Sequence, residues 1–158
     1  AAVYEKYGED TLPYEALGEL PLTESFCKEI LRLYSPVQLL PRRSVQAFEF
    51  AGQSIPANAP ILMPTQGTHV NERYFTDPEK LDPWRFVQED KVSPFAFIPF
   101  GRGKHMCLGM HFAMMEVKAV LYQVLRRRTM SFDTSQNIDI SYMPVVRPRQ
   151  PLMVAFDS

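Results

Sequence analysis

The feature that most constrains this chain is a glycine-rich run with a cysteine close to the start of a long amphipathic segment. The run reads Phe100-Gly101-Arg102-Gly103-Lys104-His105-Met106-Cys107-Leu108-Gly109. Glycines let a backbone approach a flat ligand closely, because they carry no side chain to collide with it. A helix N-terminus and nearby cationic side chains favour a thiolate over a thiol. The run therefore predicts a thiolate that acts as a nucleophile, a redox switch or a metal ligand.

The alternative interpretation of a lone cysteine is that it packs in the core as a small hydrophobic residue. The two cysteines, Cys27 and Cys107, lie far apart, which matches neither a disulfide framework nor paired zinc ligands. This usage favours a reducing, cytoplasmic setting.

Composition excludes several classes of protein. With 158 residues, 46% of them hydrophobic, the chain is long enough for one folded domain. The net charge of −1 shows no surplus of Lys and Arg of the kind that binds a phosphate backbone, so no nucleic-acid partner is expected. No run approaches the roughly 18 consecutive apolar residues of a membrane-spanning helix, and a soluble, cytoplasmic protein is expected. The sequence opens without Met, which suggests a piece of a longer protein whose membrane anchor, if any, lies upstream.

Apolar periodicity and prolines predict three helical segments. Residues 11–20 form a short helical turn with a proline near its start. Thr23 is a good N-cap for a helix that runs to about Tyr34. Leu108 to Arg128 forms the most secure helix, with an apolar stripe and basic residues at its C-terminal end. The members of that stripe are Phe112, Val117, Val120, Leu121, Val124 and Leu125.

The remaining segments predict short strands and one irregular stretch. Alternation across 45–63 indicates antiparallel strands joined by turns. The stretch 69–97 is rich in aromatics, prolines and charges without a sustained period, so we expect a packed meander. Strand-like pieces follow at 130–132, 138–142 and 152–156.

The glycine run resembles the haem-binding loop of cytochromes P-450, F-G-x-G-x-[HR]-x-C-x-G, with every specified position filled. Glu29-Ile30-Leu31-Arg32 matches the E-x-x-R helix motif of that family, and 75–86 matches its F-x-D-P-x-x-x-x-P-x-R-F meander. The resemblance extends from about residue 11 to the C-terminus. It implies a mainly α fold with small β-sheets (α+β), the C-terminal portion of the cytochrome P-450 fold. Residues 1–158 would then be part of one domain, without its N-terminal part and distal oxygen-activating helix.

The resemblance assigns roles around the loop. Cys107 would be the axial ligand of the iron in heme b, iron protoporphyrin IX. His105 and Arg42 would bind the haem propionates, with Arg43 as a competitor for the second role. Phe100 would shield the sulfur and restrain the loop. The glycines of the loop that would allow close approach to haem are Gly101, Gly103 and Gly109.

A second set of residues is implied to be structural. Glu29 and Arg32 would join Arg85 of the meander in a buried triad that holds the meander under the haem loop. Without the resemblance, Glu29 and Arg32 are simply an exposed ion pair at i,i+3 spacing worth little stability. His69 and His111 have no such support, and we expect ordinary packing or surface residues there.

The implied activity is monooxygenation of an apolar small molecule, in which thiolate ligation favours O–O cleavage. An electron donor, either a ferredoxin, a flavodoxin-like protein or a reductase, is the implied partner, together with the missing N-terminal part of the fold. The 158 residues alone are expected to be inactive. Alternatives are a peroxide-using or isomerising haem-thiolate enzyme and a non-catalytic haem-binding remnant or partner subunit.

Two further segments bear on the oxygen and substrate sites. Residues 8–11 mimic the end of the distal oxygen-handling motif of the family, but the proline that follows at once argues against it. Residues 142–148 look like those of members that oxidise sterols, retinoids or fatty acids.

Overall fold

Helix α1 starts the part of the fold that positions the site. The computed structural model describes residues 6–7, 12–88, 92–142 and 145–157. A 3-10 helix at Tyr14–Glu19 leads into α1 at Pro21–Leu33. The predicted N-cap at Thr23 is wrong, because the helix begins two residues earlier with Pro21 at its first turn. Proline fits there, since its fixed φ is helical and its missing N–H would have no partner.

The buried face of α1 is polar. Its buried residues are Ser25, Cys27, Glu29 and Arg32. The apolar residues at helical spacing predict a different face, which comprises Phe26, Cys27, Ile30, Leu31 and Tyr34. Of these Cys27 is buried, whereas Tyr34 is 64% exposed. Burial of charged groups requires partners, so this face must be packed against donors and acceptors from elsewhere in the chain.

Four short strands follow α1 in two antiparallel pairs. Strand β1 at Leu39–Arg43 pairs with β4 at Pro60–Pro64, with Leu39 opposite Pro64. Between them, β2 at Phe48–Phe50 and β3 at Gln53–Ile55 form a hairpin. The prediction of antiparallel strands across 45–63 is confirmed, although β1 begins earlier.

The meander is mostly turns around a small aromatic core. Helix α2 at Thr65–His69 precedes it, and α3 at Arg85–Gln88 is its one helical turn among the described residues. The ring of Phe86 lies 6.5 Å from that of Phe75 and 4.7 Å from that of Phe97. Phe75 is 1% exposed, so the prediction of an irregular but packed stretch is confirmed.

Helix α4 at Met110–Arg127 is the long helix predicted after the cysteine. Its apolar stripe is largely exposed rather than buried, with Phe112 at 64% and Val120 at 56% exposure. The buried residue of α4 is instead Lys118. Its Nζ donates hydrogen bonds to the Leu17 carbonyl and to Glu24 Oε2, both at 3.1 Å. These bonds satisfy the buried ammonium and tie α4 to the 3-10 helix and α1.

Two antiparallel pairs complete the chain. Strand β5 at Thr129–Phe132 pairs with β8 at Val154–Asp157. Strand β6 at Ile140–Ser141 pairs with β7 at Arg147–Pro148. The three predicted strand-like pieces are thus confirmed with shifted bounds.

Some predicted features fall outside the described residues. The start of the first helical turn at Thr11, the segment 8–11 and residues 143–144 of the segment 142–148 are among them. Within the ranges that the structure describes, every helix is too short or too polar to cross a membrane.

Candidate functional site

Glu29, Arg32 and Arg85 form one buried cluster. Arg32 donates two parallel hydrogen bonds to the Glu29 carboxylate, Nε to Oε2 and Nη2 to Oε1, both at 2.7 Å. Arg85 Nε approaches the same carboxylate at 3.1 and 3.2 Å. The exposed fraction of each side chain is 3% or less, so these bonds form away from water. A planar guanidinium fork matches a carboxylate in this way and fixes the relative geometry of two segments.

The other guanidinium donors of the cluster bind the backbone of α2 and the meander. Arg32 Nη1 donates to the His69 carbonyl at 2.8 Å, and Arg85 Nη1 donates to the Thr76 carbonyl at 2.7 Å. Further carbonyl oxygens accept from one or both arginines, namely those of Asp77, Pro78 and Lys80. Carbonyl oxygens of the meander therefore accept hydrogen bonds from both guanidinium groups. These bonds satisfy guanidinium N–H donors that would be costly to bury unpaired.

The Glu29 carboxylate stays charged despite its burial. Burial by itself raises the pKa of this carboxyl, but hydrogen bonds from Arg32, the Asp82 backbone N–H and Arg85 outweigh it. The net effect holds the pKa of Glu29 below its ordinary value. A charged carboxylate between two guanidinium groups is what keeps the cluster bonded at neutral pH.

The loop before α4 turns through two left-handed glycines. Gly101 has φ +70° and Gly103 has φ +74°, a region that side chains with a Cβ rarely adopt. At Gly101 an added Cβ would also come within 3.6 Å of the His105 carbonyl and 3.9 Å of Leu40 Cδ1. At Gly103 there is open space, so glycine is required there by backbone conformation alone.

Cys107 lies at the exposed end of this loop. Its backbone N–H donates to the Phe100 carbonyl at 2.9 Å, which closes the loop on itself. The thiol is free and exposed, unlike the buried Cys27. A Cβ added at Gly109 would lie 3.8 Å from Cys107 Sγ, an ordinary contact, so a glycine there keeps the space beside the sulfur open. The arrangement leaves a thiol accessible to a ligand from outside this chain.

His105 and Arg42 are the residues expected at the haem propionates. His105 ends a 3-10 turn at Gly103–His105 and is exposed. Arg42 lies on β1, where alternate side chains share one face of the strand. It therefore shares a face with Leu40, which approaches Gly101, whereas Arg43 lies on the opposite face and donates to the Asn58 carbonyl. This geometry favours Arg42 over Arg43 as the residue nearer the loop.

Phe100 is half-buried and lines a cavity of about 520 Å³ between the 3-10 helix, α1 and the start of α4. Phe97 and Met110 are among its other lining residues. Cys107 is not among the lining residues, so this cavity is separate from the thiol.

The sequence assigned no role to two polar residues that the structure buries, His69 and Lys118. His69 is fully buried, and its Nε2 accepts the backbone N–H of Ile98 at 3.0 Å. The expectation that His69 is an ordinary residue therefore missed a contact with the segment that leads into the loop. His111, by contrast, is exposed as expected. A histidine six residues before the meander motif was the available signal, but its partner is 29 residues away.

The comparisons with known sequences agree on one family. The family model described as Cytochrome P-450 matches residues 3–156. Cytochrome P-450 4d1 of Drosophila melanogaster is 34% identical over 145 residues, which is 89% of this chain and 28% of that protein. Putative cytochrome P-450 136 of Mycobacterium tuberculosis is 31% identical over 156 residues, 95% of this chain and 32% of that protein. Among the first relatives, the chain spans between 25% and 32% of their length.

Solved structures share the fold. A cyanobacterial CYP120A1 structure with bound retinoic acid superposes with a TM-score of 0.84 at 28% identity, and covers 99% of this chain and 38% of its own. The heme domain of cytochrome P-450DA superposes with a TM-score of 0.88 at 22% identity, over 99% of this chain and 36% of that one. The predicted α+β class, a portion of this fold, is confirmed. A match over nearly all of its residues, in sequence and in fold, means that the chain belongs to the cytochrome P-450 family.

Proposed function

We propose that this chain supplies the haem-thiolate side of a monooxygenase, with Cys107 as the axial ligand of the iron. The observation that carries the proposal is that the Cys107 thiol is exposed at the end of the loop. The loop is closed by a hydrogen bond from the Cys107 N–H to the Phe100 carbonyl. The family binds haem, and thiolate is a soft donor that suits haem iron. Heme b, iron protoporphyrin IX, is the form proposed here.

The residues of the loop fit a flat macrocycle. Every residue from 102 to 109 is exposed, so the loop has a free surface on which a large ring can rest. Two left-handed glycines, Gly101 and Gly103, keep side chains away from the turn. A further glycine, Gly109, leaves the side of the sulfur open. The loop therefore combines a soft donor atom with a surface free of large obstructions, which is what haem ligation requires.

Residues of this chain would hold the haem at two places, the iron and the propionates. Cys107 would bind the iron, while His105 and Arg42 would bind the propionates by charge-assisted hydrogen bonds. Haem with a thiolate ligand supplies oxygen activation, because the electron density that the sulfur donates favours O–O cleavage. Glu29, Arg32 and Arg85 would keep the proximal scaffold in place without contacting the reacting atoms.

The test compares Cys107→Ser with Cys27→Ser in the haem-loaded protein that carries these residues. We expect the Cys107 variant to lose the Soret band characteristic of a thiolate-ligated carbon monoxide complex after reduction. The Cys27 variant should keep that band, because Cys27 is buried on α1. A normal thiolate spectrum in the Cys107 variant would overturn the assignment.

We propose an apolar small molecule as the substrate. The support is the neighbouring CYP120A1 structure, which holds bound retinoic acid. Titration of the haem-loaded protein with retinoic acid should change the Soret spectrum. No spectral change with retinoic acid and a panel of sterols and fatty acids would count against this substrate class.

An electron-donor protein is the proposed partner: a ferredoxin, a flavodoxin-like protein or a reductase. Lys104 and Arg102 are exposed on the loop that carries Cys107, so in the haem-loaded protein they would lie near the shortest route to the iron. Arg102 also lies over the ring of Phe95, at 4.7 Å from its centroid, which holds its charge in place. Complementary charge steers association, so reduction by an acidic donor should slow as salt concentration rises. A rate that does not depend on salt would argue against this contact.

A further inference from the structure

His69 lies between the triad and the segment that precedes Cys107. It ends helix α2 and is fully buried. On one side its backbone carbonyl accepts a hydrogen bond from Arg32 Nη1 at 2.8 Å. On the other side its ring Nε2 accepts the backbone N–H of Ile98 at 3.0 Å. The ring also packs against Phe97, with centroids 5.7 Å apart. His69 thus contacts both the Glu29–Arg32–Arg85 cluster and the segment that leads into the loop.

The hydrogen-bonded path continues from Ile98 to the cysteine. The Ile98 carbonyl accepts the N–H of Gly101 at 3.0 Å, which sets the entry to the left-handed turn. The Phe100 carbonyl then accepts the N–H of Cys107 at 2.9 Å. Displacement of Ile98 would therefore shift both bonds that shape the loop.

Only one protonation state of His69 fits these contacts. An Nε2 that accepts an N–H cannot carry a proton itself, so the proton of the neutral ring resides on Nδ1. Nδ1 is buried without a hydrogen-bond partner among the described residues. Burial lowers the pKa of His69 to about 4, which keeps the ring neutral near pH 7. An imidazolium would turn an N–H toward the N–H of Ile98 and break the contact.

We infer that His69 is a positioning residue, whose neutral ring fixes the Cys107 loop to the Glu29–Arg32–Arg85 cluster. The inference deepens the proposed function and rests on it, since the loop is fixed for the sake of the thiolate that it carries. Glutamine can place an acceptor oxygen near the position of Nε2, whereas leucine has similar bulk and no acceptor. The two substitutions therefore separate the hydrogen bond from the volume.

The experiment compares His69→Leu, His69→Gln and the matched control Thr65→Val in the haem-loaded protein. Thr65 lies on the same helix and is 1% exposed, but its hydroxyl donates to the Val37 and Gln38 carbonyls. In His69→Leu we expect amide hydrogen exchange across 97–107 to accelerate about tenfold, the effect of losing one buried hydrogen bond. We also expect part of the carbon monoxide complex to lose its thiolate spectrum. Both readouts should stay near wild type in His69→Gln and in Thr65→Val.

Wild-type exchange and a wild-type spectrum in His69→Leu would overturn the inference, as would equal effects in Thr65→Val. If His69→Leu does not fold, nitrogen NMR of the imidazole in the unsubstituted protein decides the question. A ring protonated on Nδ1 is expected, and a ring protonated on Nε2 would overturn the link. Failure of the proposed function is recognised separately, by a Cys107→Ser variant that keeps the thiolate spectrum, because that substitution leaves His69 and its hydrogen bond to the Ile98 N–H in place.

Discussion

At the scale of single residues, the Glu29 carboxylate is shared by two arginines from different parts of the chain. Arg32 is three residues away on the same helix, while Arg85 is 56 residues away. A buried carboxylate with two partners costs little once its bonds are formed, but each partner is left with an uncompensated charge if the carboxylate is removed. Residue changes in this cluster should therefore affect folding more than turnover.

Arg32→Ala tests the cluster. We expect a loss of about 3–5 kcal/mol in the free energy of unfolding, because the substitution removes two hydrogen bonds from the buried Glu29 carboxylate and leaves the His69 carbonyl without its Arg32 donor. Urea denaturation and haem content of the purified protein measure the effect. Arg43→Ala is the control, because Arg43 is exposed and its Nη1 donates to the carbonyl of Asn58, outside the buried cluster. Full haem content and wild-type unfolding in Arg32→Ala would contradict a structural role.

Acid should destabilise the protein through His69. Its pKa is lowered by burial from the ordinary 6.5 to about 4. Between these values the unfolded chain takes up a proton and the folded chain does not, so the free energy of unfolding falls as pH falls, by up to about 3 kcal/mol. The lowered pKa of Glu29 adds a further loss only below about pH 4.5, the ordinary value for Glu.

Melting temperatures measured from pH 7 to 4.5 test this expectation. His69→Gln lacks the titrating ring, so its stability should change much less over that interval than that of the wild type. An unchanged slope in His69→Gln would mean that another group causes the acid sensitivity.

At the scale of elements, the loop between the meander and α4 depends on backbone conformation at two positions. An added Cβ would make only ordinary contacts at Gly101 and none within 4 Å at Gly103, so the positive φ is what requires glycine at both positions. Gly103, with open space around it, allows backbone strain to be measured without steric contact.

Gly103→Ala should lower the free energy of unfolding by about 1–2 kcal/mol, the cost of a left-handed residue with a Cβ. Gly18→Ala is the matched control, since Gly18 also has open space around it but lies in the 3-10 helix without a positive φ. We expect the control to be neutral or slightly stabilising. Equal effects in the two variants, measured by urea denaturation, would mean that the loop relaxes without strain.

At the scale of the whole molecule, helix α4 presents apolar side chains to solvent. Phe112, Val117, Val120 and Leu125 are between 45% and 64% exposed. Exposed apolar patches of this kind promote association. The buried Lys118 joins α4 to α1 through its hydrogen bond to Glu24.

The 158 residues produced alone should therefore associate. Sedimentation velocity should detect oligomers that grow with protein concentration and bind a hydrophobic dye. Val120→Gln combined with Leu125→Gln should reduce both signals, because it removes apolar area from α4 while leaving good helix formers in place. A wild-type chain that stays monomeric without dye binding would show that this surface is tolerated in water.

Much of the chain could be predicted from the sequence because the relevant signals are local. The glycines and the cysteine of the loop, the long helix after it and the hairpin at 45–63 each depend on residues close together in the chain. Helix bounds were less predictable, since Pro21 at the first turn of α1 can look like a break or a start.

The tertiary structure alone decided which polar groups are buried. Apolar periodicity indicated one face of α1, but the chain buries the face with Glu29 and Arg32, because Arg85 and the meander carbonyls arrive from distant segments to satisfy it. The burial of His69 against Ile98 has the same origin. The cost of burying a charge or a ring nitrogen depends on partners that sequence spacing does not reveal. The sequence by itself determined the family and the cysteine loop, and the structure determined what holds that loop in place.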